Sequence, residues 1–314
     1  MEDQLLNGIR ANNHRTIARV ISQIENDYEF PASFFADLYS ASKKALRIGL
    51  TGPPGAGKST LTNQLIQTLI NDGKSVGVVA VDPTSPFTGG ALLGDRVRMN
   101  QYIWNDAVYI RSMGSGGDLG GLARKAQEVG DVLAASGKDV VIFETVGVGQ
   151  GEYDVAKAVD VTIVILVPES GDEIQLMKAG LIEIADIFVI NKSDREGAGR
   201  LAHLLKNMLH SSQDQEKVEP AVFSTVARNG EGIDALYRGI ADFVHTQRTN
   251  NRLKRRRLEH HRDRVLALIR DRLARDFWTK ARLEKLDLAI NDPDTIKSSP
   301  YQLAQDFLNS NADG

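Results

Sequence analysis

Gly52-Pro53-Pro54-Gly55-Ala56-Gly57-Lys58-Ser59-Thr60 follows the apolar stretch Leu46-Arg47-Ile48-Gly49-Leu50 and fits the pattern G-x-x-x-x-G-K-[ST]. Leu61, Leu65, Ile66, Leu69 and Ile70 come next at helical spacing. A glycine-rich turn between a buried strand and a helix turns several backbone N–H groups toward one point. The helix N-terminus adds partial positive charge there. Lys58 has the length to reach β- and γ-phosphates, and the Ser59 hydroxyl is a ligand type for Mg²⁺. Strand, loop and helix in this order imply a site for a nucleoside triphosphate, with residues 52–60 around its phosphates.

Outward from this loop, short apolar runs alternate with longer amphipathic ones between residues 46 and 247. Strands are expected at 47–51, 75–81, 107–111, 139–144, 161–167, 187–191 and 221–225. Several of them are apolar at every position, the mark of strands covered on both faces. The alternation predicts right-handed crossovers, a doubly wound, mostly parallel α/β sheet, and a ligand at the carboxyl ends of the strands.

Two helical regions flank this core. Residues 1–45 carry Leu5, Leu6 and Ile9, then Ile17, Ile21 and Ile24, then Phe34, Phe35 and Leu38. From 248 to 314 the helical pattern returns, with Val265, Leu268, Ile269, Leu273 and Phe277 on one face. Basic residues outnumber acidic ones ten to three between Arg252 and Arg275. A solvated helix face is one reading of that excess and a protein or subunit interface another. The net charge of −3 and the lack of interleaved aromatics speak against nucleic acid or a membrane surface.

Composition narrows the class further. At 314 residues the chain has room for about two domains, and its 42% hydrophobic and 25% charged content is ordinary for a globular protein. The longest apolar runs fall far short of the ~20 residues that a membrane span needs. The absence of cysteine removes thiolate metal sites and disulfides and fits a cytoplasmic location.

Asn191-Lys192-Ser193-Asp194 ends a late apolar strand with the N-K-x-D pattern that selects guanine. Asp194 can accept hydrogen bonds from guanine N1–H and its 2-amino group, a pair that adenine does not offer. Lys192 can lie along the base. Val226-Ala227-Arg228, before Gly230-Glu231-Gly232, has the form of a loop whose backbone N–H meets the base oxygen. Three carboxylates are candidates near the phosphates, since Mg²⁺ takes oxygen ligands. Asp82 closes the 75–81 run, Asp95 sits in the glycine-bearing stretch 88–96, and Glu144 closes the 139–144 run. Glu144-Thr145-Val146-Gly147 has the shape of a D-x-x-G element with Glu in place of Asp. Gly147 is then placed to donate its N–H to a γ-phosphate.

Taken in order, residues 52–60, Asp82-Pro83, Thr88-Gly89-Gly90, Leu93-Gly94-Asp95-Arg96, 144–150 and 191–194 resemble the MeaB/ArgK/MMAA family of P-loop GTPases. These serve adenosylcobalamin-dependent acyl-CoA mutases, chiefly methylmalonyl-CoA mutase. The resemblance covers about residues 45 to 247, and Ser299-Pro300-Tyr301-Gln302-Leu303-Ala304 also looks like the family's C-terminal end. It implies weak intrinsic GTP hydrolysis to GDP with Mg²⁺, a chaperone role in loading or protecting the mutase, and a homodimer. An N-terminal helical arm (1–45) and a C-terminal dimerisation extension (248–314) would flank the GTPase domain (46–247). By the family pattern Ser59, Asp82, Asp95 and Glu144 surround Mg²⁺, while Gln150 and Glu152 belong to a second switch. The stretch 170–178 resembles a third switch, in which Lys178 is a candidate for stabilising transition-state charge, a plain surface lysine being the other reading. Gly151 departs from the serine common in the family.

Two alternatives belong beside this reading. A GTP-dependent metal-insertion protein needs soft or borderline ligands, and the chain has no Cys and only scattered His. A nucleotide-sensing scaffold is the non-enzymatic reading. The family's older description as a transport ATPase or kinase is disfavoured by N-K-x-D. None of the six histidines lies in a cobalamin-binding D-x-H-x-x-G context, so any cobalamin would be held by the partner.

Overall fold

The apolar runs form seven parallel strands, β1 (Leu46–Thr51), β2 (Val76–Asp82), β3 (Val108–Gly114), β4 (Val140–Glu144), β5 (Val161–Leu166), β6 (Ile187–Asn191) and β7 (Ala221–Thr225). They lie in the order β3-β2-β4-β1-β5-β6-β7 in one sheet. The computed structural model describes residues 2–42, 44–82, 102, 104–114, 119–145, 156–168, 181–211, 219–291 and 299–309. The helices are α1 (Glu2–Arg10), α2 (His14–Glu25), α3 (Ala32–Ser42), α4 (Lys58–Asn71), α5 (Leu119–Ala135), the short α6 (Leu181–Ile184), α7 (Ala198–Ser211) and α8 (Ile233–Thr249). They are followed by α9 (Arg252–Phe277), α10 (Lys280–Asn291) and α11 (Pro300–Asn309).

Strand alternation divides the side chains between two covers. Val140 and Ile142, Ile163 and Ile165, and Ile187 and Val189 meet Leu61, Leu65 and Leu69 of α4 and Leu236 and Ile240 of α8. Their neighbours point the other way. Val141 and Phe143 pack with α1, α2, α3 and α5, while Val164, Leu166, Phe188 and Ile190 pack with α7. A strand buried on both faces has no polar position to spare, which is why these runs read as continuous.

The first three helices share the core of the sheet. Leu5, Leu6, Ile9, Ile17, Val20, Ile21, Ile24, Phe34 and Leu38 join Val79, Val141 and Phe143 in one apolar cluster. Asn13 caps α2 by accepting the Thr16 N–H at 2.9 Å, satisfying one of the free donors of the first turn. The end of that helix is tied down by Arg111 of β3 to Glu25, and by Lys125 of α5 to Asp27 at 2.8 Å.

The chain divides into two compact units, residues 1–256 and 257–314. The first ends on an anchor. Leu253 is buried, and the Arg256 guanidinium donates to both carboxylate oxygens of Asp186, at 2.7 and 2.8 Å, and to the Asp160 carbonyl at 2.7 Å. In the second unit, Trp278 lies between Phe277 and Phe307, and the Arg282 guanidinium stands 4.4 Å over the Phe277 ring. Leu258, Val265, Leu268, Ile269 and Leu273 of α9 are exposed. No helix among the described residues is long and apolar enough to cross a membrane.

Candidate functional site: a nucleotide cradle at the carboxyl edge of the sheet

β1 is central, hydrogen-bonded to β4 on one side and to β5 on the other. From β1 the chain crosses over to β2 on one side, and from β4 to β5 on the other, so the carboxyl end of β1 lies at the switch in strand order where such sheets bind ligands. Residues 52–57 turn there and α4 begins at Lys58. Gly52, Gly55 and Gly57 all have positive φ. At Gly57, φ is +86° and an added Cβ would stand 2.4 Å from Asn191 Nδ2; at Gly52 it would stand 2.1 Å from the Ile165 carbonyl oxygen. Glycine is required at both by conformation and by space.

Lys58 folds back over the loop, its Nζ donating to the Gly52 and Pro53 carbonyls at 2.8 and 3.0 Å. An anionic phosphate is a stronger acceptor for this ammonium than either carbonyl. Ser59, the next residue, donates its hydroxyl to Glu144 Oε1 at 2.6 Å. Thr62 donates to Glu144 Oε2 at 2.8 Å. Glu144 is 4% exposed and ends β4 in register with Leu50. Ser59 and Thr62 are three residues apart on α4, so both hydroxyls face the same way. Thr62 was not singled out from the sequence; its spacing from Ser59 is the signal that could have found it.

Buried hard-oxygen donors beside a phosphate cradle suit Mg²⁺ in chemistry and charge. Asp82 ends β2 two residues beyond Ala80, the register partner of Glu144. It therefore lies at the same edge of the sheet. Asp95, Gly147, Gln150, Glu152 and Lys178 lie outside the described residues.

The side where the sequence places a base is assembled by Asn191. Its Nδ2 donates to the Ala56 carbonyl in the phosphate loop at 2.8 Å. Its Oδ1 accepts from the Thr225 hydroxyl at 3.2 Å and from the Ala227 N–H at 3.0 Å. One buried amide thereby joins the phosphate loop, the end of β7 and the loop Val226-Ala227-Arg228. Lys192 takes φ +56°, turning the chain so that the Ser193 N–H reaches the Thr225 carbonyl at 3.0 Å. Asp194 and Arg228 are left exposed at this edge, while Val226 and Ala227 are buried, and Val226 pairs with Glu231 across the loop. The phosphate-side and base-side residues read from sequence thus meet along one edge wherever they are described.

Residues 15–282 match the family model described as methylmalonyl Co-A mutase-associated GTPase MeaB. GTPase ArgK of Escherichia coli is 38% identical over 254 residues, covering 78% of this chain and 77% of that one. The mouse protein described as methylmalonic aciduria type A homolog, mitochondrial, is 38% identical over 237 residues, 74% of this chain and 57% of its own length. A crystal structure described as a LAO/AO transport system kinase superposes with a TM-score of 0.72 at 25% identity, covering 98% of this chain and 96% of that one.

Proposed function

The chain belongs to the MeaB family of GTPases, and from that premise we propose that it hydrolyses GTP to gate the loading or protection of an adenosylcobalamin-dependent acyl-CoA mutase. The partner in this reading is methylmalonyl-CoA mutase, as the family's description suggests. The observation that carries the hydrolytic part is Glu144, buried and gripped by Ser59 and Thr62 beside the phosphate loop.

In this reading the backbone of 52–60 holds the phosphates and Lys58 leaves its carbonyl acceptors for the β- and γ-phosphates. Ser59 and Glu144, with Asp82 and Asp95 by family pattern, hold Mg²⁺. When bound, that ion neutralises charge on the transferring phosphoryl group. Asp194 reads the guanine edge, with Lys192 along the base and the Ala227 loop on the far side. Gly147 senses the γ-phosphate, Gln150 and Glu152 act in a second switch, and Lys178 supplies charge when a partner aligns it. Two copies pair through the second unit, and the protein works in the cytoplasm.

The test is a GTPase assay with and without the mutase of the same organism, on the unmodified chain, Lys58→Ala and Lys178→Ala. Phosphoryl transfer is mostly positioning and charge stabilisation, so Lys58→Ala is expected to lose at least roughly a hundredfold in rate. The mutase should raise the unmodified rate, and Lys178→Ala should lose more of the stimulated rate than of the basal one. No stimulation, with no complex in either nucleotide, removes the mutase from this reading; near-normal turnover by Lys58→Ala removes the phosphate-loop assignment.

A further inference from the structure

At the opposite edge of the sheet, where β1 and β4 begin, a cavity of about 360 Å³ opens between α4 and α8. This volume falls in the range of small-molecule sites. Its walls are aliphatic: Ile48 of β1, Val140 of β4, Leu65 and Leu69 of α4, and Ile240 and Val244 of α8. One end is closed by Tyr237, whose hydroxyl donates to Asp72 at 2.6 Å and so pins α8 to the end of α4.

The rim has the opposite character. Lys44, Lys74, His245 and Arg248 border it and are exposed. Among the described lining residues the only acid is Asp139. Its Oδ2 accepts from the Ser75 N–H at 2.9 Å and from the Ser75 hydroxyl at 2.8 Å, so it is engaged on the backbone turn before β2. Neither Lys44 nor Arg248 makes an ion pair among the described residues. A hydrogen-bonded carboxylate keeps its charge, and Asp139 acts on Lys74, so the positive excess at the opening rests on Lys44 and Arg248. That excess attracts an anion, and the aliphatic floor beside it favours an apolar tail.

We infer that this cavity is a second ligand site, separate from the nucleotide cradle, for a small amphipathic anion: a carboxylate or phosphate monoester carried on a short aliphatic chain. Its volume is about a dozen times the share of one water in the liquid, enough for a chain of several carbons but not for a partner's helix. The head group would sit by Lys44 and Arg248, and the chain along the aliphatic floor formed by α4 and α8.

The test uses the full chain with methyl-labelled Ile, Leu and Val, titrated in separate arms with hexanoate, hexyl phosphate, hexan-1-ol and hexylammonium at millimolar concentration. At least one of the two anions is expected to shift the methyl signals of Ile48, Leu65, Leu69 and Ile240. The stronger of the two identifies the head group. Binding should weaken with added salt and exceed that of the alcohol by roughly tenfold. Ala241→Trp puts bulk at an exposed position on the lining and should abolish the shifts; Lys44→Glu with Arg248→Glu should weaken them by a similar factor. Both variants should bind GTP as the unmodified chain does, which shows that they fold. No shift with either anion, shifts confined to residues outside the cavity, equal binding of the alcohol or the amine, or unchanged binding by both variants would overturn the proposal.

Discussion

The hydroxyl of Ser59 donates to Glu144 at 2.6 Å, joining the first turn of the phosphate-loop helix to the end of the neighbouring strand. With Thr62 on its other oxygen, the Glu144 carboxylate is held by α4 from both sides. Glu144→Gln keeps the shape and removes the charge. The Mg²⁺ concentration for half-maximal GTP hydrolysis is expected to rise by roughly tenfold or more, the scale seen when oriented metal-site groups are lost. Thermal unfolding should change little. An unchanged Mg²⁺ requirement rejects Glu144 as part of the metal site.

Gly57 and Gly55 both have positive φ, yet only Gly57 faces a neighbour. A Cβ there would stand 2.4 Å from Asn191 Nδ2, whereas one at Gly55 meets nothing within 4 Å. Gly55→Ala should cost about 1–2 kcal/mol of backbone strain. Gly57→Ala should cost more and also break the Asn191–Ala56 link, lowering both the unfolding temperature and GTP affinity. Calorimetry and nucleotide titration on the two variants decide this, and the reverse order of severity contradicts the bracing role of Asn191.

Asp194 is exposed, and in the proposed reading its carboxylate meets two donors of guanine. A site built on paired hydrogen bonds can reject an analogue lacking them by on the order of 10⁴-fold. Asp194→Asn should therefore weaken GTP and strengthen XTP, whose 2-oxo group accepts from the new amide. Affinities for GTP, ATP and XTP measured by calorimetry test it; equal ATP and GTP binding by the unmodified chain would refute guanine selection.

The exposed Leu258, Val265, Leu268, Ile269 and Leu273 on α9 give a second copy an apolar surface to cover. Light scattering at micromolar concentration is expected to find a dimer for the full chain and a GTP-binding monomer for residues 1–256. A monomeric full chain would discard pairing through this helix.

Two basic groups, the buried Lys138 and the partly buried His14, lie beside Asp106 at the foot of β3. The Lys138 ammonium donates to the Asp106 carbonyl at 2.8 Å, and burial pulls its pKa down to about 8 from 10.5. Burial, reinforced by the Lys138 charge, lowers His14 from 6.5. For both groups the unfolded chain binds the proton more readily than the folded one. Stability therefore rises with pH wherever the two states differ: below 6.5 for His14, and from about 8 to 10.5 for Lys138. The unfolding temperature of the unmodified chain, relative to Lys138→Met, should climb between about pH 8 and about pH 10. The upper limit avoids Tyr109 and Tyr237, whose raised pKa values remove stability above 10.0. A parallel pH profile in the two proteins would show that Lys138 is not depressed.

The sheet was legible because its central strands are apolar on both faces. The runs at 187–191 and 221–225 coincide with β6 and β7, and the others differ by a residue or a few at their ends. Helical periodicity picked out Leu5, Ile9, Ile17, Ile24 and Leu38 as apolar faces, but a period does not say which surface covers a face. Only the fold shows them against Val141 and Phe143. The same limit hid Thr62, an ordinary mid-helix threonine until β4 brings Glu144 to it. Asn191 was legible as part of a base-reading motif, yet its links to Ala56 and Ala227 depend on loops far apart in sequence converging. The composition changes near residue 248, while the first compact unit runs on to Arg256, whose guanidinium is spent on Asp160 and Asp186 rather than on its own helix.

That last anchor sets where the chain can be cut. Asp186 receives the Thr162 N–H at 2.8 Å and both arms of Arg256, and its side chain is only 11% exposed. A core fragment ending at residue 247, where the residue pattern suggests a border, would strand this carboxylate at the foot of β6 without its cation. It would also bare the seat of Leu253. The three hydrogen bonds of Arg256 and the burial of Leu253 would be lost together, and a domain has little stability to spare. Nine more residues carry the fragment through Arg256, and a soluble, crystallisable core is to be sought at that length.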